Sequence, residues 1–280
     1  MNSEHSSGPS GRVAFIGGGN MARSLIGALV RARADAADIT VAEPNADLRN
    51  GLAHDFGVSV HAQARAAVVG ADTIVLAVKP QVLQAVCAEI AEVVAAERPL
   101  LISIAAGIRT EQLQSWLGSD LAIVRAMPNT PALIGAGASG MIANAATSAQ
   151  QRAQAEAILG AAGSTAWIVR EDLMDTVTAL SGSGPAYFFL LVEALEDAAV
   201  AQGLPRETAR ALATQTCLGA GRMLVEDGEA PTVLRERVTS PGGTTAAALE
   251  AFAAGGLREL VSAAVGAATR RGRELSNPSS

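Results

Sequence analysis

The sequence predicts an α/β fold in two parts, a doubly wound parallel sheet followed by an all-helical region. Three observations predict it. In the first half, short β-branched runs alternate with helix-like stretches, the pattern of a parallel sheet with crossover helices. A glycine-rich turn, Gly17-Gly18-Gly19, lies between the first such run and the first helical stretch. Beyond Arg170 the strand-like runs stop and only helical periodicity remains.

The elements follow in order. Arg12–Ile16 reads as a strand, and Met21–Arg33 as a helix with Leu25, Ile26, Leu29 and Val30 on one face. Ile39–Glu43 is a second strand, Ala46–Phe56 a helix and Val58–Val60 a short strand. Thr73–Val78 is a continuous apolar run, as in a strand buried on both faces. Pro80 stands where a first helical turn tolerates it, and Val82, Val86, Ile90 and Val94 follow at helical spacing. Leu100–Ile104 and Ile123–Met127 are further strands, and Gly140–Ala143 and Thr165–Val169 extend the sheet. Pro185, Pro205 and Pro231 each open a helical stretch. Thr244 or Thr245 caps another, which Gly255-Gly256 interrupts before Leu257, Leu260, Val261 and Val265 resume the pattern. The resulting division is a tail at 1–10, a nucleotide-binding domain at 11–170, a helical domain at 171–275 and a tail at 276–280.

Composition narrows the function. Of the 280 residues 49% are apolar, enough for a real core. Aromatics at 3% argue against stacking platforms for single-stranded nucleic acid, and a net charge of −6 argues against a phosphate-backbone binder. Two cysteines, Cys87 and Cys217, build no disulfide framework, and three scattered histidines make a metal site unexpected. The N-terminal stretch lacks the pattern of a signal peptide, and no apolar run approaches the ~20 residues of a membrane span. The expectation is a soluble protein of a reducing compartment, the cytoplasm, with no membrane or nucleic-acid partner.

Gly17-Gly18-Gly19-Asn20-Met21-Ala22 fits G-x-G-x-x-A directly after a strand and before a helix, the context of a dinucleotide fingerprint and hence of a Rossmann-type sheet. Gly17 serves the tight turn, Gly19 the approach of backbone to pyrophosphate, and Ala22 close helix packing. Glu43 ends the second strand at about the 20-residue spacing where an acid bonds the adenosine ribose and repels a 2′-phosphate. Asn45 and Arg49, close by, suit such a phosphate instead, so NADH and NADPH both stay open. Ala77-Val78-Lys79-Pro80 ends the strongest strand, and Lys79, the one lysine of the chain, falls beside the expected cofactor. Asn129, in Met127-Pro128-Asn129-Thr130-Pro131, either bonds the nicotinamide carboxamide or caps a turn. Ser181–Tyr187 is rich in small residues, as a ligand approach or a hinge requires. Ser240-Pro241-Gly242-Gly243-Thr244-Thr245 offers N–H and O–H donors at a helix start, either a receptor for a small carboxylate or an ordinary capped helix. No histidine is placed for proton transfer: His5 is in the tail, and His54 and His61 lie away from strand C-termini. The chemistry expected is one that positioning achieves, hydride transfer.

These segments resemble the pyrroline-5-carboxylate reductases over about Arg12 to Leu275. The matching stretches are Phe15–Ala22, Leu76–Gln81, Arg125–Pro131, Ser181–Tyr187, Ala201–Ala209 and Thr239–Thr245. The first is shared by many dehydrogenases; the last, with SGSGPAY, is specific to the family. The resemblance implies reduction of 1-pyrroline-5-carboxylate to L-proline with NADPH or NADH. It implies a substrate carboxylate held at Ser240, Gly243, Thr244 and Thr245, with the Thr245 hydroxyl by the ring nitrogen as the catalytic group. On the cofactor side it covers Gly17, Gly18, Gly19, Asn20, Met21, Glu43, Ala77, Val78, Lys79, Pro80 and Asn129. It also implies C-terminal helices intertwined in a homodimer, from which higher oligomers are built. Two positions depart from the family: Glu43, where a Ser or small polar residue is frequent, and Ala64, where an Asn is frequent.

The rival enzymatic readings are a related imine reductase and a 3-hydroxyacid dehydrogenase. The second uses a lysine in its helical domain, and here no lysine follows Lys79. A nucleotide-sensing scaffold is the non-catalytic rival. Independently, Ala- and Gly-rich C-terminal helices with few large side chains make a thin core alone, and dimerisation would supply the missing burial.

Overall fold

The computed structural model describes residues 10–32, 34–118 and 120–276. Most of both expected tails, and Arg33 at the expected end of the first helix, lie outside the described residues. Two compact units emerge: residues 1–182 with 268–280, and residues 183–267.

The first unit is built on an eight-stranded sheet in the order β3-β2-β1-β4-β5-β6-β7-β8. Its strands are β1 (Val13–Ile16), β2 (Ile39–Ala42), β3 (Ser59–His61), β4 (Thr73–Leu76), β5 (Leu100–Ser103), β6 (Ile123–Met127), β7 (Gly137–Ala143) and β8 (Gly163–Trp167). The helices between them are α1 (Asn20–Arg31), α2 (Ala46–Phe56), α3 (Ala64–Val68), α4 (Pro80–Glu97), α5 (Thr110–Leu117) and α6 (Ala149–Gly160). Pairing is parallel except between β6 and β7, which run antiparallel, so the sheet is parallel-dominated, not wholly parallel. The short connection through a 3₁₀ turn at Thr130–Ile134 allows this, since a parallel return needs a crossover of about a dozen residues or more.

Side-chain alternation in the strands creates two cores. Val13, Phe15, Val41 and Val75 face α1 and α6, packed on Leu25, Leu29 and Ile158. Ala14, Ile16, Ile74 and Leu76 face α3 and α4, packed on Val68, Leu83 and Ile90. Helices α3, α5 and α6, which short or polar stretches conceal in the sequence, cover these faces. His61 corrects an expectation: it is the last residue of β3, so it does lie at a strand C-terminus, and its carbonyl accepts from the Glu43 amide at 2.9 Å.

The expected boundary between 170 and 171 differs from the packing. Glu171, α7 (Met174–Val177) and the π-turn Thr178–Gly182 stay with the sheet. Glu171 pairs with buried Arg125 of β6 at 3.2 Å and accepts from the Thr110 amide at 2.8 Å. Ser276 is likewise no tail residue. It is buried at the end of α12 (Leu257–Ser276), and its hydroxyl donates to Asp175 at 3.0 Å.

The second unit contains α8 (Gly184–Ala201), α9 (Arg206–Glu226), α10 (Pro231–Arg237), α11 (Thr244–Ala254) and the first part of α12. Helices α8 and α9 pack on each other, and buried Glu196 ties them through a two-pronged pair with Arg210 at 3.0 and 3.1 Å and a bond from Arg206 at 3.0 Å. Pro185 and Pro231 fall in first helical turns, where proline costs no intrahelical bond. The cap of α11 is Gly243, not a threonine: Thr244 is already the first helical residue.

Candidate active site

The sheet order reverses between β1 and β4, and in open α/β sheets the ligand crevice lies at the strand C-termini of that reversal. Three loops meet there. The first runs from Ile16 through Gly17, Gly18 and Gly19 into α1. Gly17 has φ +100°, and a Cβ on it would stand 2.6 Å from the Ala77 carbonyl oxygen and 3.1 Å from Val78. Only glycine lets these two loops close on each other. The Gly17 amide donates to the Ala42 carbonyl at 2.8 Å, and the Ala77 amide to Ile16 at 2.8 Å. Ala77, Val78, Lys79 and Pro80 are thus brought beside the glycine turn; Lys79 is exposed at the cap of α4.

The residues present fit a dinucleotide. At Gly19, the cap of α1, an added Cβ would meet nothing within 4 Å. No side chain caps α1 and no acidic residue stands in its first turn, so the amides of Asn20, Met21 and Ala22 are free of side-chain acceptors. Free amides with a helix dipole behind them suit a pyrophosphate.

The third loop follows β2. Glu43 is buried, and its carboxylate is held from both sides: the Gly18 amide donates to Oε2 at 2.8 Å and the Asn45 amide to Oε1 at 2.9 Å. Sequence reasoning places Glu43 at the ribose end; its bond into the glycine turn was invisible there, because residues 25 apart in sequence make it. Ala64 is buried at the start of α3 among the apolar side chains of that sheet face.

Asn129 does something other than cap a turn. Its Nδ2 donates to the Ser181 carbonyl at 2.9 Å and its Oδ1 accepts from the Ala138 amide at 2.8 Å. It therefore links the end of β6, the start of β7 and the π-turn, while the 3₁₀ turn that follows packs against α1. The Arg125–Glu171–Thr110 cluster was not foreseen either. A buried arginine in a strand demands a partner, which is the one signal the sequence carried.

In the second unit, Ser240 to Thr245 form a tight entry to α11. The Gly243 amide donates to the Ser240 carbonyl at 3.0 Å, and Gly242 has φ +68°. No side chain caps the helix, leaving its first amides, the exposed Thr244 hydroxyl and the half-buried Thr245 hydroxyl as donors for an anion.

Comparison with known proteins decides the family. Residues 171–275 match the model for pyrroline-5-carboxylate reductase dimerisation, and residues 12–107 that for NADP oxidoreductase, coenzyme F420-dependent. The Pseudomonas aeruginosa pyrroline-5-carboxylate reductase is 49% identical over 264 residues, covering 94% of this chain and 96% of that protein. The chain belongs to the pyrroline-5-carboxylate reductase family. A reductase of this family from Coxiella burnetii superposes with a TM-score of 0.93 at 43% identity, covering 95% of this chain and 98% of that one. The Plasmodium falciparum enzyme, solved with NADP bound, superposes at 0.83 with 29% identity, covering 96% of this chain and 100% of that one. Among the described residues no cluster of His, Cys, Asp and Glu could hold a metal ion, and no helix is long and apolar enough to cross a membrane. As a pyrroline-5-carboxylate reductase, the chain must hold a nicotinamide cofactor and a small cyclic imino acid. The glycine turn and the α11 entry have the donors for each.

Proposed function

We propose that the chain reduces 1-pyrroline-5-carboxylate to L-proline with NADPH or NADH, as a homodimer. The observation that carries this reading is the presence, in one chain, of a glycine turn closed on its sheet and an uncapped helix start in the family-specific TSPGGTT segment. The backbone of Gly17, Gly18 and Gly19, with the Asn20 and Met21 amides, holds the pyrophosphate. Glu43 takes the ribose, and Ala77, Val78, Lys79 and Pro80 wall the same crevice. Asn129 acts as a positioning residue, spanning two loops.

Ser240, Gly243, Thr244 and Thr245 hold the substrate carboxylate. The reduced nicotinamide supplies the hydride when bound. The protonated imine already carries an electrophilic carbon, so the chain has to orient it and exclude water; no strong acid is needed. The Thr245 hydroxyl lies by the ring nitrogen, where it accepts from the N–H of the protonated imine and donates to the lone pair that forms on nitrogen as hydride adds to the carbon. The sheet unit then carries the reductant, and the helical unit at 183–267 the substrate and the subunit contact.

A homodimer follows from the second unit's surface. Tyr187, Phe188, Phe189, Leu190 and Leu191 are exposed along α8, and a cavity of about 930 Å³ bordered by Leu249, Phe252 and Val261 lies along α11 and α12. Higher oligomers would be built from that dimer. Free thiols at Cys87 and Cys217 accord with a reducing compartment, the cytoplasm.

The test is Thr245→Ala. It should lower kcat/KM for pyrroline-5-carboxylate about tenfold or more, the scale of one lost hydrogen bond to a charged group. Wild-type kinetics in that variant would remove Thr245 from the site.

A further inference from the structure

We infer that this chain selects NADH over NADPH, and that Glu43 with the closed start of α2 makes the selection. This rests on the reading of the glycine turn as the dinucleotide site.

Four observations carry it. The Glu43 carboxylate is fixed by the Gly18 and Asn45 amides, leaving each oxygen a further lone pair for a ribose hydroxyl donor. Among the described residues its carboxylate forms no ion pair. The first amides of α2 would otherwise attract a phosphate. Asn45 already fills them: its Oδ1 accepts from Asp47 at 2.9 Å and Leu48 at 3.1 Å. Asp47 adds a second carboxylate in that first turn. Two arginines of α1 and α2 already make bonds within the protein. Arg49 Nη1 donates to the backbone carbonyls of Glu43 at 2.8 Å and Pro44 at 3.1 Å, while Arg23 pairs with Asp55 and lies over the Phe56 ring.

A 2′-phosphate would therefore meet a held carboxylate, a capped helix start and an acidic first turn. A free ribose diol meets an acceptor already in place. Glu43 also has a second part, since its bond to the Gly18 amide steadies the phosphate turn that both nucleotides use. The two parts separate by substitution. Serine removes charge and reach together, whereas aspartate keeps the charge and shortens the reach to Gly18.

Calorimetric titration of the full-length protein with NADH and with NADPH, without substrate, tests this apart from turnover. Wild type should bind NADH about tenfold or more tightly than NADPH, a gap that narrows as salt is raised. Glu43→Ser should weaken NADH and strengthen NADPH. Glu43→Asp should weaken NADH yet still bind NADPH poorly. Equal or tighter NADPH binding by wild type overturns the inference without any variant, as does an unchanged ratio in a folded Glu43→Ser protein. If neither nucleotide binds wild type, the dinucleotide reading falls, and the inference with it.

Discussion

In the first unit β1, β2, β4 and β5 are buried on both faces, and side chains as large as Phe15, Leu25 and Ile74 are sealed from water. In the second, α9 buries only Ala209 among its residues, α11 buries none, and α8 leaves Phe188, Phe189 and Leu190 mostly exposed. The two units have similar access to apolar residues but use them differently. A sheet with helices on both sides closes its own core. A layer of helices whose outward positions are Phe and Leu has half a core, and burial must come from a second copy. The nucleotide half therefore closes its own core, and the helical half leaves apolar surface for assembly to cover.

The contrast can be broken at several points. Phe15→Ala should cost about 3–5 kcal/mol, a cavity in a closed core, and the loss should not vary with protein concentration. Thermal unfolding at several concentrations reads this. Phe189→Ala should behave oppositely, with a shift in Tm that grows as the protein is concentrated, because its burial depends on the partner copy. If Phe189→Ala melts alike at all concentrations, the helical half is not completed by assembly. Replacing both Phe189 and Leu190 by Asp should weaken the dimer by about 100-fold, seen by sedimentation velocity, while the nucleotide half keeps its circular dichroism.

The smallest effect tests what holds the helical half internally. Arg210, and after it Arg206, holds the Glu196 carboxyl below its ordinary value of 4.5. A depressed folded value means stabilisation that is present above the unfolded value and lost as pH falls through the folded one. Wild type should therefore exceed Glu196→Gln in Tm at pH 7, and the gap should close on acidification below about pH 4.5. A gap that persists into strong acid would assign Glu196 a packing role instead of a charge role.

Much of the nucleotide half was legible. Ile123–Met127 is read from its apolar run and forms β6 with those bounds, and Pro80 marks the start of α4. Both signals are local. The direction of β7 was not legible, since alternation records which face is buried but not which way the neighbouring strand runs. The partners of Asn129 were equally hidden: the bond to Ser181 spans 52 residues of sequence, and nothing in MPNTP names its acceptor. The buried end of α12 was hidden for the same reason, as Ser276 looks like any polar tail residue until Asp175 stands beside it.

By itself the sequence determined most of the strands, the glycine turn, the donor-rich TSPGGTT segment and the family resemblance, because each depends on neighbours within a turn or two of chain. Tertiary structure alone decided that Glu43 grips the Gly18 amide and that Asn129 spends its carboxamide on two loops. A hydrogen bond's partner is chosen by proximity in space, and that proximity exists only after the strands have paired.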